Sequence, residues 1–312
     1  AEADRKHRIH DEENFLAPLS DASFDTLFEA ASDFRARDKS GRGIAFALES
    51  AWLDWEGKRT NQPASQLLGG ALLTAVPDYF SISEKAIADI RGRVTVAGPE
   101  RRVFQLKLGV GSIERDVEQV AAILEMLTER QIVQADANGG WAVDEACDII
   151  ARFNDERLIW EEPCTLYEDN VCVAERTARH IMVDQCVGDL DMALRAIDEC
   201  AAQSICIKPA PLGGLTIARQ VRDRAIETGM CVRIDGPWCG DVASASILHL
   251  AIGTPESLLL AGCDLREPLV IDTNLKNTFF VLHEKALNTK VILNISFNLI
   301  KDLMWLSDFN HS

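Results

Sequence analysis

From about residue 73 onward, short runs of almost unbroken apolar residues alternate with stretches in which apolar positions recur every three or four residues. The first kind of run reads as a strand buried on both faces and the second as an amphipathic helix, so the alternation predicts repeated strand–helix units around a parallel sheet. The apolar runs are VPDYFSIS (76–83), VFQLKLG (103–109), IVQADANGG (132–140), LIWEEPC (158–164), HIMVDQCV (180–187), SICIKPAPLGG (204–214), MCVRIDG (230–236) and SLLLAGCDL (257–265). Eight runs recurring roughly every 25 residues match the unit length of a parallel β/α barrel better than a smaller open sheet. The connecting segments agree with this. Val117, Val120, Ala121, Leu124 and Leu127 share one helical face, and Leu215, Ala218, Val221 and Ala225 share another before Gly229 supplies a C-cap.

The flanks read differently. Residues 21–57 predict two helices, the first with Phe24, Leu27, Phe28 and Ala31 at helical spacing, the second GIAFALESAWLDWEGK, ending near Gly57. After Thr273 neither Gly nor Pro occurs, and KVILNISFNLIK (290–301) alternates at period two like a lone strand. The expected division is a partial, helical capping domain over 1–72, a barrel over 73–272 and an atypical C-terminal tail over 273–312.

Composition narrows the function classes. Lys+Arg 32 against Asp+Glu 49 gives a formal charge of -17, which repels polyphosphate and anionic lipid, so nucleic acid and membrane are not expected partners. No stretch approaches about 18 uncharged apolar residues, and the first twenty residues carry no apolar signal core; the expectation is a cytoplasmic protein. The nine cysteines are an odd count, scattered singly from Cys147 to Cys263 without a C-x-x-C pair, which suits reduced, core-filling thiols.

In a parallel barrel the chemistry lies at the C-terminal strand ends. There the chain places Lys107 after the second run, Asp136 after the third, Glu161 and Glu162 after the fourth, Asp184 after the fifth, Lys208 after the sixth and Asp235 after the seventh. Carboxylates from three consecutive strands cannot crowd together fully ionised unless a cation sits among them, and oxygen donors without His or Cys select Mg2+ or Mn2+. Lys107 and Lys208 flank the trio, and a cationic neighbourhood of metal and second lysine is expected to depress an ammonium pKa toward the range useful for a base. Such a pair can take the proton α to a carboxylate from one face and act as acid on the other. Each acid also has a structural reading: Asp136 opening an Asx turn in DANGG, Glu162 as a solvated loop acid, Asp235 as a turn residue before Gly-Pro. Gly213-Gly214 reads as a tight passage into the next helix rather than a phosphate cradle.

The motifs QLKLG, DANGG, WEEPC, MVDQC and KPAPLGGLT, in this order over roughly residues 43–272, resemble the enolase superfamily, in the branch of muconate-lactonizing enzyme and dipeptide epimerases. The resemblance implies an α/β fold, a (β/α)7β modified TIM barrel with a capping domain, here an incomplete N-terminal α+β one. It implies Asp136, Glu161 and Asp184 as metal ligands and Lys107 and Lys208 as acid/base catalysts. Gln105 stands where the branch usually has the first lysine of Lys-x-Lys, and Gln105, Asn138 and Glu162 are expected to support the site from behind. The segment RIDGPWCGDVASASILHLA (233–251) resembles that of members acting on proline derivatives, with Asp235 and Trp238 as expected substrate contacts, Trp238 by cation–π or as a packed loop residue. The implied activity is Mg2+-dependent dehydration of cis-3-hydroxy-L-proline or a similar cyclic hydroxy amino acid. The alternatives are racemisation or epimerisation of a proline-like amino acid, and a truncated, catalytically silent relative. The expected partner is a small amino-acid or carboxylate substrate, with a homo-oligomer implied by the resemblance alone.

Overall fold

A computed structural model of the protein describes residues 24–37, 39–236 and 241–263. Each expected apolar run contains a strand: β1 (Tyr79–Ile82), β2 (Val103–Lys107), β3 (Ile132–Asp136), β4 (Leu158–Glu161), β5 (Ile181–Val183), β6 (Ser204–Ile207), β7 (Cys231–Ile234) and β8 (Leu259–Ala261). They form one parallel eight-stranded sheet in sequence order. Gly262 N donates to Pro77 O at 2.7 Å, bringing the exit of β8 to the entry of β1, so the sheet curls into a nearly closed barrel.

Two helices precede the barrel, α1 (Phe24–Arg35) and α2 (Lys39–Thr60), followed by the short α3 (Ala64–Leu67). Helices then cover each crossover: α4 (Ile87–Ala97), α5 (Ile113–Leu124), α6 (Val143–Ala151), α7 (Tyr167–Thr177), α8 (Leu190–Glu199), the single turn α9 (Pro209–Leu212) with α10 (Leu215–Thr228), and α11 (Asp241–Ala251). Ser112 caps α5 and Asp189 caps α8, each side chain accepting from a backbone N–H three residues on. Gly229 ends α10 in the left-handed region, as expected. None of the helices is long and apolar enough to cross a membrane, among the described residues.

Alternation along each strand explains why continuous apolar runs were needed. Outward residues such as Phe104, Leu106, Val133 and Ala135 pack on Val120, Ile123, Ile149 and Ile150 of α5 and α6. On the other half, Ile205, Ile207, Val232 and Ile234 meet Leu215, Ala218, Val221 and Ala225 of α10. Each buried aliphatic side chain contributes about 1.5 to 3 kcal/mol. Inward residues form a separate floor in which Ile159, Met182 and Cys206 cluster. The next inward positions toward the C-terminal ends are polar.

Helices α1 and α2 pack through Leu27, Ala31 and Phe34 against Ile44, Ala45, Leu48 and Ala51. The second helix passes through Gly57 instead of ending there, because the turn that follows folds back onto it. Gln62 N donates to Gly57 O at 2.8 Å, and a Cβ at Gly57 would lie 2.7 Å from Gln62 O. This pair docks on the loop after β6. Glu49, fully buried on α2, accepts from Arg35 and from the backbone N–H of Thr216 at the start of α10 (2.9 Å). Gly214 (φ 136) is required where the Glu49 carboxylate would collide with any Cβ, so the glycine pair serves a close approach as well as a tight passage. The cysteines of the described residues are all free thiols. Trp238 and the expected strand at 290–301 lie outside the described residues.

Candidate active site

The strand ends gather the charged residues as the spacing anticipated. Lys107, Asp136 and Glu161 are the last residues of β2, β3 and β4, and the sheet register sets Lys107 opposite Asp136 and Asp136 opposite Glu161. Asp184, Lys208 and Asp235 follow β5, β6 and β7 by one residue. The acids Asp136, Glu161 and Asp184 are at most 5% exposed. The lysine side chains keep 31% and 24% exposure, so they face the open end where a ligand would arrive.

Each carboxylate is turned toward a cation. Lys107 Nζ lies 2.6 Å from Asp136 Oδ2, and Lys208 Nζ lies 2.7 Å from Asp184 Oδ2. Burial alone would lower Lys107, but Asp136 and Glu161 hold it above the ordinary lysine range. Burial opposes charge on Lys208 too, and the combined attraction of Asp184, Cys206 and Asp235 outweighs it. The nearest groups to each ammonium are carboxylates, and they set this direction. Burial and the neighbouring Glu161 raise Asp136, an effect Lys107 partly offsets. For Asp184 burial also pushes upward, but attraction from Lys208 and Arg233 leaves its carboxyl below the usual range.

Gln105, buried on the inner face of β2, donates through Nε2 to Asp136 Oδ2 (3.1 Å) and Glu161 Oε2 (2.9 Å), bridging two of the acids. Asp136 Oδ1 accepts from Asn138 N at 2.9 Å, so the Asx-turn reading of DANGG also holds. Asn138 (φ 49) in turn accepts through Oδ1 from Gln185 Nε2, beside Asp184. Glu162 is no solvated loop acid: it is 2% exposed and holds the backbone N–H groups of Asp184 (2.6 Å) and Cys186 (2.7 Å). Burial first, then the charge of Asp184, pushes Glu162 up to about 8.

Two features were not anticipated. Arg233, two residues before Asp235 and on the same inner face, forks onto Glu161: Nη1 donates to Oε2 at 2.6 Å and Nη2 to Oε1. Gln134 Oε1 accepts from the same Nη1 at 2.6 Å. The signal was available, since a charged residue inside MCVRIDG must face the barrel interior or break the strand pattern. Second, Asp235 is sealed in, with Oδ2 accepting from Tyr79 Oη at 2.8 Å and Oδ1 from Gly236 N. The structure thus brings Asp235 to the strand ends but engages both its oxygens with protein donors.

The residues that could hold a cation are Asp136, Glu161 and Asp184. Among the described residues no three His, Cys, Asp or Glu side chains already converge as a ligand set, which follows from each acid being turned to Lys107, Arg233 or Lys208. Two observations fit an ion nonetheless. Asp184 Oδ1 is buried without a hydrogen-bond partner, and the donors are all hard oxygens.

The Enolase C-terminal domain-like family matches residues 88–287. Cis-3-hydroxy-L-proline dehydratase of Roseibium aggregatum is 32% identical over 242 residues, 76% of this chain and 66% of that protein. Muconate cycloisomerase 1 of Acinetobacter baylyi is 29% identical over 255 residues, 77% of this chain and 66% of that protein. The chain therefore spans slightly less than two thirds of these curated relatives. A solved mandelate racemase/muconate lactonizing enzyme from Roseovarius nubinhibens is 32% identical with a TM-score of 0.65, covering 78% of this chain and 72% of that one. A member of the enolase superfamily from the same organism, complexed with magnesium, is 30% identical with a TM-score of 0.65, covering 70% and 60%.

Proposed function

The chain belongs to the Enolase C-terminal domain-like family, and on that premise we propose that its barrel removes the α-proton of a carboxylate substrate with the help of a divalent ion, in the dehydration of cis-3-hydroxy-L-proline or a similar cyclic hydroxy amino acid. The observation that carries the reading is the placement of Lys107 and Lys208, four strands apart in the sheet, each reaching the open end beside a buried aspartate. Asp136, Glu161 and Asp184 would hold Mg2+, or Mn2+ in its place. An ion bound there would supply positive charge that acidifies the substrate's α-hydrogen, and would free Lys107 and Lys208 from Asp136 and Asp184.

The chain's own residues do the rest. Gln105 keeps Asp136 and Glu161 in register, and Glu162 fixes the backbone that carries Asp184. A lysine relieved of its proton accepts the α-hydrogen from one face of the ring. The C–H electrons form the new C=C bond as the C–O bond breaks, and the opposite lysine, still protonated, delivers its proton to the departing hydroxyl to give water. In the cis isomer the α-hydrogen and the 3-hydroxyl lie on opposite ring faces, which suits a base and an acid on opposite sides of the site.

The same pair of lysines also favours a second reading, inversion at the α-carbon of a proline-like amino acid, where the opposite lysine returns a proton to carbon. Incubating the Mg2+-loaded protein with cis-3-hydroxy-L-proline in D2O separates the two. Dehydration yields an enamine, or the imine it tautomerises to, with loss of the hydroxyl. Inverted, α-deuterated substrate that retains its hydroxyl would instead establish the epimerase.

A further inference from the structure

Arg233 lies at the floor of the site, 1% exposed on the inner face of β7. Its guanidinium engages both oxygens of Glu161, Gln134 Oε1 at 2.6 Å and Cys206 Sγ at 3.3 Å. Its Nε reaches no hydrogen-bond acceptor, with Asp235 Oδ2 at 3.6 Å. Glu161 Oε2 takes a further hydrogen bond from Gln105. Each oxygen of this carboxylate is therefore already held by a cation.

We propose that Arg233 is the resident counter-cation of the carboxylate cluster: it holds Glu161 before any divalent ion enters, and it sets the affinity for that ion. The inference rests on the metal-site reading above. Its physical basis is that an ion binding Glu161 must share the carboxylate with a guanidinium or displace it. A fixed positive charge in a buried site repels an incoming divalent ion with little screening by solvent. Arginine does not give up its proton in a protein, so the repulsion has no pH-dependent exit.

A neutral residue at position 233 then has two effects of opposite sign. The metal-free protein loses stability, because Glu161 is left buried and unpaired. Divalent ions bind more tightly, because their competitor is gone. A side chain that merely supported the fold would weaken both.

The test uses chelator-treated full chain as wild type, Arg233→Gln and Arg233→Lys, with Mn2+ titrated by electron paramagnetic resonance and thermal unfolding followed with and without Mn2+. Arg233→Gln is expected to melt lower without metal and to bind Mn2+ at least tenfold more tightly, while Arg233→Lys, which keeps the charge, stays near wild-type affinity. If Arg233→Gln is unfolded without metal, Mn2+ is expected to fold it. The inference is overturned if folded Arg233→Gln binds Mn2+ no more tightly than wild type, or if no Mn2+ concentration folds it. A wild-type protein that binds no Mn2+ would overturn the metal-site reading itself, a result distinct from unchanged affinity in the variant.

Discussion

The carboxylate of Glu162 accepts a hydrogen bond from the backbone N–H of Asp184 at 2.6 Å, so the residue beside one expected metal ligand fixes the backbone of another. The two adjacent acids of WEEPC are therefore unequal: Glu161 ends β4 facing the barrel interior, and Glu162 (φ 44) turns away to clasp the segment after β5. Glu161→Gln is expected to abolish Mn2+ binding measurable by calorimetry. Glu162→Gln, which keeps one hydrogen-bond acceptor, is expected to retain binding within about tenfold, the equivalent of roughly 1.4 kcal/mol. The reverse ranking would place the metal ligand one residue later.

Glu162 also gives a pH dependence with a definite sign. Burial, and then the Asp184 charge, raise its folded pKa to about 8, above its unfolded value. The folded state then binds more protons than the unfolded one between the two values. This contribution to stability is fully present below the unfolded pKa and is lost as pH rises toward 8. Melting temperatures of chelator-treated wild type are expected to fall more steeply from pH 5 to 8 than those of Glu162→Gln. Parallel slopes would remove this role.

Lys107 and Lys208 each pair with a buried aspartate, so truncating either has a structural and a chemical consequence. Lys107→Met and Lys208→Met are expected to lower kcat by roughly 10²- to 10⁴-fold, the usual contribution of a positioned acid or base. Both are expected to retain Mn2+ binding, since neither lysine is a ligand. Loss of binding together with turnover would assign the lysines to support of the acids instead.

At the docking of α2 on the barrel, Glu49 is buried between Arg35 and the start of α10. Burial raises its carboxyl pKa, offset in part by hydrogen bonds from Thr216 and by Arg35. Glu49→Ala leaves Arg35 and the N–H of Thr216 without this acceptor and is expected to cost about 2 to 3 kcal/mol, read from denaturant unfolding. Thr216→Val, which keeps the backbone hydrogen bond, is expected to cost about 1 kcal/mol. Equal effects would mean that the hydroxyl, not the backbone contact, anchors the helix.

Much of this arrangement was legible in the sequence because parallel strands buried on both faces are continuous apolar runs, against which Lys107, Asp136, Asp184 and Lys208 stand out at the ends. Residues paired across the barrel were harder to read. Arg233 and Glu161 are 72 positions apart, and Glu49 and Thr216 are 167 apart, so neither pairing has a local signature. Gln105, Gln134 and Arg233 each precede a strand-end charge by two residues, and that period-two spacing was the available clue to a polar layer beneath the site. The Gly57 helix end was misplaced because a glycine reads as a C-cap, whereas here it admits the returning turn at Gln62.

Lys107 and Lys208, four strands apart at the same end of the barrel, are expected to move the α-proton of a carboxylate substrate only when a divalent ion is held by the three acids. Proton nuclear magnetic resonance of cis-3-hydroxy-L-proline in D2O tests this most directly, comparing wild type with Mg2+, wild type with chelator, and Lys107→Met/Lys208→Met with Mg2+. Loss of the α-proton signal is expected in the first sample alone. An α-proton that persists with the Mg2+-loaded wild type, or that disappears equally in all three samples, would contradict it.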